Sequence, residues 1–171
     1  TKAETIILMM RSRLNDQKGK SWNDFELLDI LNLSLSAISH RVWLWHDNHT
    51  VTTTTKGVYP LPSNVLTVVN VKYAGYVVPI VSFEWERTHP CHDQVCVVSH
   101  NNVELVPPPK EGKELSIDYH LCPNVVTMSD EVSIPLQAVD ALVFYGMGLA
   151  LQKIQNEHSL SQAKLYADLY E

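Results

Sequence analysis

At 171 residues the chain has the length of one domain, enough to bury a core without disulfides or metal. Its 45% hydrophobic and 19% charged residues argue against disorder, and three cysteines, an odd count, argue against a disulfide-stapled secreted domain and for a cytoplasmic assembly compartment. A net charge of −6, with 13 Lys and Arg scattered along the chain, argues against sequence-specific binding of duplex DNA, which needs a basic face.

The apolar run Ile6-Ile7-Leu8-Met9-Met10 is closed by Arg11 and Arg13, well short of the roughly 20 residues that span a bilayer. No small-residue cleavage site follows it, so it does not read as a secretory signal. With Thr1 first, an initiator Met or something longer is expected to precede the chain.

The spacing of Ile6, Ile7, Met10 and Leu14 predicts a helix over about 2–14. Asn15 to Lys20 is a polar stop, with Gly19 suited to the position just beyond a helix. Ser21 then reads as an N-cap with Asp24 as its acidic partner. Phe25, Leu28, Leu31, Leu35, Ile38, Val42 and Trp45 follow at helical steps and predict one long amphipathic helix, on which Asn32 and Ser36 are hydrogen-bonding or surface positions rather than ligands.

From Thr50 the pattern turns to β. Val51 to Thr55 is β-branched throughout, Lys56-Gly57 turns the chain, and Val58-Tyr59-Pro60-Leu61-Pro62 is extended. Val65–Tyr73 and Tyr76–Ile80 predict a hairpin around Ala74-Gly75. Residues 82–93 read as irregular or a short helical turn. A second hairpin, Gln94–Ser99 and Asn102–Val106, closes at His100-Asn101. Pro107-Pro108-Pro109 is a rigid link, and Leu115–Leu121 alternates as a half-buried strand ended by Pro123.

A last helical region opens at Pro135 and runs through Ala138, Leu142, Tyr145, Leu149 and Ile154. Gly146 and Gly148 lie inside it, each costing up to about 1 kcal/mol against Ala, which predicts close backbone contact with another helix. After a break near 156–159, Leu160, Ala163, Tyr166, Ala167 and Tyr170 make a final stripe that either closes a bundle or docks into a partner.

Four segments together carry a family resemblance. They are Leu27-Leu28-Asp29-Ile30-Leu31-Asn32; Gly57-Val58-Tyr59-Pro60-Leu61-Pro62; Val103 to Pro109 with Leu115-Ser116-Ile117-Asp118-Tyr119 and Pro123; and Ile134 to Leu142. In order and spacing the chain resembles phage head-to-tail adaptor (connector) proteins over nearly its whole length. The Cys/His segment 89–96 and the Trp43/Trp45 pair fall outside that pattern. The resemblance implies a homo-oligomeric ring of about twelve copies beneath the portal protein, in the virion neck between capsid and tail. It further implies contact with tail or nozzle proteins and a lumen through which genomic DNA passes without sequence-specific binding. The helical bundle would face the portal, with the C-terminal segment docking into it. An acidic wall suits sliding DNA, because mild repulsion avoids deep electrostatic traps.

Chemistry finds little support. His89, Cys91, His92, Cys96 and His100 cluster as metal-ligating types, but the spacing match is weak, and Cys96 alternates within a strand where a buried thiol is the simpler account. No nucleophile elbow is present, Glu84 and Glu86 share at best a strand face, and Gly146-Met147-Gly148 follows no strand and is no phosphate loop. Trp22 and Trp45 continue the helix stripe and are expected in the core. Trp43 and Trp85 are candidates for a subunit interface, where Trp is enriched.

The expected fold is α+β, one domain over 1–171, with a helical bundle from both chain ends (2–45 and 135–171) and an inserted antiparallel β region (50–121). The expected protein is a structural subunit of a head-to-tail connector ring, not an enzyme, with no cofactor, no metal and no membrane. Its partner-binding candidates are Tyr166, Leu169, Tyr170, Trp43 and Trp85. The alternatives are a tail-completion or other tail ring protein, and a β-rich carbohydrate- or nucleic-acid-binding module with Trp43 and Trp85 stacked in a cleft.

Overall fold

A computed structural model describes residues 1–89, 93–153, 162, 164–166 and 168. The protein is mixed α+β, and it divides into two compact units, residues 1–44 with 123–171 and residues 45–122.

The first unit holds helices α1 (Ala3–Arg13), α2 (Asp24–Arg41) and, late in the chain, a third helix (Leu136–Gln152) that packs on both. α1 buries Ile6, Ile7 and Met10 and ends in a tight cap, with Asn15 at φ 54 and the amides of Asn15 and Asp16 bonding Ser12 O and Arg11 O. Asn15, rather than Gly19, therefore takes the left-handed position at the helix end. Gly19 is also left-handed, φ +63, but it lies further on, where an added Cβ would sit 3.1 Å from the Arg11 guanidinium.

The cap of α2 is likewise shifted from Ser21 to Asn23. The Asn23 side chain accepts from the Glu26 amide and the Glu26 carboxylate accepts from the Asn23 amide, a closed capping box. Ahead of it, the amides of Lys20, Ser21 and Trp22 donate to the Asp16 carboxylate, so these residues belong to the α1–α2 turn. α2 buries Leu27, Leu31, Leu35 and Ile38, while Phe25, expected on that stripe, is 81% exposed. The helix also stops before the predicted Trp45. Val42 is extended, at φ −130, and leads toward the strands. Trp22 and Trp45 are buried as expected, but neither lies on α2.

The second unit contains β1 (His46–Thr52), β2 (Val58–Pro60), β3 (Val65–Tyr73), β4 (Tyr76–Val77), β5 (Ile80–Val81), helix α3 (Phe83–Thr88), β6 (Val95–Ser99), β7 (Asn102–Val106) and β8 (Glu114–Leu121). The helix over Leu136–Gln152 is α4. Two four-stranded sheets form, in the orders β1-β8-β3-β4 and β2-β7-β6-β5, all antiparallel except the β5–β6 pair that α3 connects. Their shared core is Val71, Cys96, Val103, Leu105, Leu115, Ile117 and their neighbours.

Both predicted hairpins form, and Ala74 (φ 49) with Gly75 (φ 84) make the two-residue turn whose twist suits the strands. The predicted return strand 76–80 is split in two. Val78 N donates to Val71 O, then Pro79 O accepts from Cys96 N, so the chain changes sheets where Pro79 has no N–H to give. β1 begins at His46, earlier than the Thr-rich run suggests, because β8 offers it partners as far as His120.

Candidate partner-binding surfaces

The partner-binding candidates separate by unit. Trp43 follows α2 in the first unit and is 52% exposed. Trp85 lies on α3 in the second unit, its ring stacked on His89 at 4.8 Å and 8°. Ser82 caps α3 by accepting from the Trp85 amide, and no residue of this helix is buried. Glu84 and Glu86 are thus on a helix, not a strand face. Tyr166 stacks on Phe144 of α4, with ring centres 6.1 Å apart, and Phe144 in turn carries the Arg13 guanidinium 4.7 Å from its centre. Arg13 also reaches Asp140 at 3.1 Å, joining α1 to α4. Leu169 and Tyr170 lie outside the described residues.

At the α1–α2 turn is a charge cluster that sequence patterning did not reveal, with Arg11 and Asp16 buried and Asp24 exposed. Arg11 donates to Asp24 (2.7 Å), to Trp22 O (2.9 Å) and to Asp16 (3.3 Å). Burial by itself raises the Asp16 carboxyl. The amides of Trp22, Ser21 and Lys20, with the Arg11 guanidinium, outweigh that and hold it below its ordinary value. The cluster therefore fixes the α1–α2 turn rather than offering a reactive acid.

Residues 123–132, which carry no helical or strand period, are held as firmly. Asn32 of α2 bonds both backbone groups of Val125, and Asp130 accepts from the Val126 and Thr127 amides and the Thr127 hydroxyl. Met128 O and Asp130 O then accept from the first amides of α1. The Thr127-x-x-Asp130 spacing was the available signal, because both side chains favour such local turns.

In the second unit a surface groove of about 530 Å³ lies between the β3–β4 turn and the proline link, lined by Tyr73, Tyr76, Val77, Pro108, Lys110 and Lys113. Its walls are built rigidly. The Tyr73 hydroxyl accepts from the Lys110 amide at 3.0 Å, and the buried Thr53 hydroxyl donates to Lys110 O (2.7 Å) while accepting from the Lys113 amide (2.9 Å). Gln94 fixes Pro107 O at 2.7 Å. Gly57 (φ +69) lets the backbone pass where a Cβ would meet Leu105 O at 3.1 Å and Pro109 at 3.2 Å. The sequence named the prolines and the hairpin separately. Their juxtaposition comes from the fold.

Of the Cys/His segment, Cys91 and His92 lie outside the described residues. Cys96 is fully buried between the sheets, and burial pushes its thiol up to about 12, which disfavours the thiolate a metal requires. Among the described residues no three His, Cys, Asp or Glu side chains are placed to hold a metal ion. Among them also, no helix is long and apolar enough to cross a membrane.

The family profile for the SU10 adaptor protein matches residues 1–171. The chain belongs to the SU10 adaptor protein family. No curated protein matches it. Membership in the SU10 adaptor family makes the chain a phage adaptor, a structural component of the virion that works against other head and tail proteins. The expected resemblance to phage head-to-tail adaptors is thereby met at the level of the family.

Proposed function

We propose that this adaptor is a subunit of a homo-oligomeric ring that docks on the portal and extends the DNA channel toward the tail. The observation that carries the proposal is the family match over the full 171 residues. A connector must present one surface to the portal, another to its neighbours in the ring and a third to the tail. The division into an α-helical unit and a β unit supports that division of labour.

In this proposal residues 1–171 act as one domain in which helices from both chain ends make a bundle facing the portal, with the β region inserted. Tyr166 on Phe144 supports a role for the final segment in closing that bundle, leaving Leu169 and Tyr170 as the portal contacts. Trp43 and Trp85, both exposed, serve as further partner contacts. Each subunit presses one face on a different face of the next, as ring closure demands. The lumen conducts genomic DNA without reading its sequence, which the net charge of −6 supports.

Co-sedimentation tests the role directly. The protein is mixed with intact portal rings and, separately, with the tail and nozzle proteins of the same genome. Migration with the portal is expected, while migration with tail proteins alone would move the protein to a tail-completion role.

A further inference from the structure

Between Tyr76 and Trp85 the second unit exposes an unusual density of large apolar side chains. Tyr76 is 79% exposed, Val77 65% and Phe83 61%, with Ile80 and Trp85 also open to solvent. These residues form two different shapes. Tyr76 and Val77 belong to the concave groove, whose cationic residues are Lys110 and Lys113. Phe83 and Trp85 belong to α3, which buries nothing of its own and carries Glu84 and Glu86, with Arg87 as its one cation. One surface is therefore an aromatic and proline-lined recess with positive charge, and the other an aromatic projection with net negative charge.

Aromatic rings in a desolvated pocket supply most of the energy of an interface, and opposite charge at its rim fixes orientation and suppresses wrong partners. A recess and a projection on one chain that complement each other define a heterologous contact, the kind that closes rings when its rotation closes. We infer that α3 of one copy seats in the Tyr73–Tyr76–Pro108 groove of the next, with Phe83 and Trp85 against the tyrosines and prolines and Glu84 and Glu86 facing Lys110 and Lys113. The inference rests on the ring proposed above and names the surfaces that build it. The occupant is a second copy because its charge is of the sign the groove accepts. The rigid hydrogen bonding of Lys110 and Lys113 through Thr53 and Tyr73 presents the groove already formed.

The test uses the full chain carrying Phe83→p-benzoylphenylalanine, mixed with isotope-labelled unsubstituted chain, irradiated alone at high concentration and on the portal ring. Links between copies from position 83 to peptides containing 73–77 or 107–113 are expected. Assemblies of two or more copies whose links fall elsewhere, within one chain or on the portal overturn the groove assignment and leave the ring standing. If no assembly of two or more copies forms in either setting, the ring and the contact fall together.

Charge reversal gives a second readout. Lys110→Glu with Lys113→Glu is expected to weaken self-association about tenfold, and adding Glu84→Lys with Glu86→Lys to the same chain to restore it to within about threefold. All four side chains project from the surface or its margin, so folding checked by circular dichroism stays intact. Loss without restoration overturns the pairing.

Discussion

The side-chain amide of Asn32 pairs with both backbone groups of Val125, donating to its carbonyl and accepting from its amide at 2.8 Å each way. One helix side chain thus replaces a strand partner for a segment that belongs to no sheet, 93 residues further along the chain. The pairing ties α2 to the segment that also covers the first amides of α1.

Asn32→Ala leaves both Val125 groups without this partner and is expected to cost about 2 kcal/mol. Asn32→Asp keeps the acceptor for the amide but sets a carboxylate against Val125 O, so it should be no better. Denaturant unfolding gives the stability change, and faster hydrogen exchange at the Val125 amide would locate it.

Gly146→Ala weighs helix propensity against space. The gain from propensity is up to about 1 kcal/mol. The added Cβ would overlap Met10 Cε, with Ile30 Cγ2 at 3.3 Å closing the other side, and Met10 is fully buried. Overpacking of this kind costs about 1–3 kcal/mol, so a net loss is expected. Met10→Ala alone should cost about 2–5 kcal/mol, and the double variant should lose less than the sum of the two, a coupling that a double-mutant cycle by thermal unfolding measures.

Gly146 and Asn32 mark how far the sequence could be read. A glycine inside a strong helical period signals close approach, and α1, α2, α4, both hairpins and the alternating β8 follow from period and turn chemistry. The cap of α2 at Asn23, the exposure of Phe25 and the split at Pro79 did not. The split at Pro79 depends on backbone partners in two different sheets, Val71 and Cys96, whereas Asn23-x-x-Glu26 is itself a local capping-box signal that the Ser21 reading passed over. The candidate surfaces divide the same way: Trp85 stands out in the sequence, whereas the groove joins Tyr76 of the β3–β4 hairpin to Pro108 and Lys113 of the β7–β8 link, two segments that only the fold brings together.

Among the described residues, Asp16 is the carboxylate among the buried charged groups. Its folded pKa lies below its ordinary value, so it contributes stability that is present above the unfolded pKa and lost as pH falls through the folded one. The protein is expected to lose stability on acidification below about pH 4. Asp16→Asn should be less stable at neutral pH and show a shallower acid limb, measured by urea unfolding at a series of pH values.

Thr53→Val keeps shape and removes the hydroxyl that holds Lys110 and Lys113. A loss of about 1–2 kcal/mol is expected. Self-association should weaken further than global stability predicts, since the groove is no longer held open, and sedimentation velocity at several concentrations distinguishes the two effects.

The central claim, a ring subunit seated on the portal, is tested most directly by native mass spectrometry of the protein mixed with the intact portal ring from the same genome. A complex carrying about one adaptor copy per portal subunit is expected. An intact portal ring that remains bare at saturating adaptor concentration would contradict it.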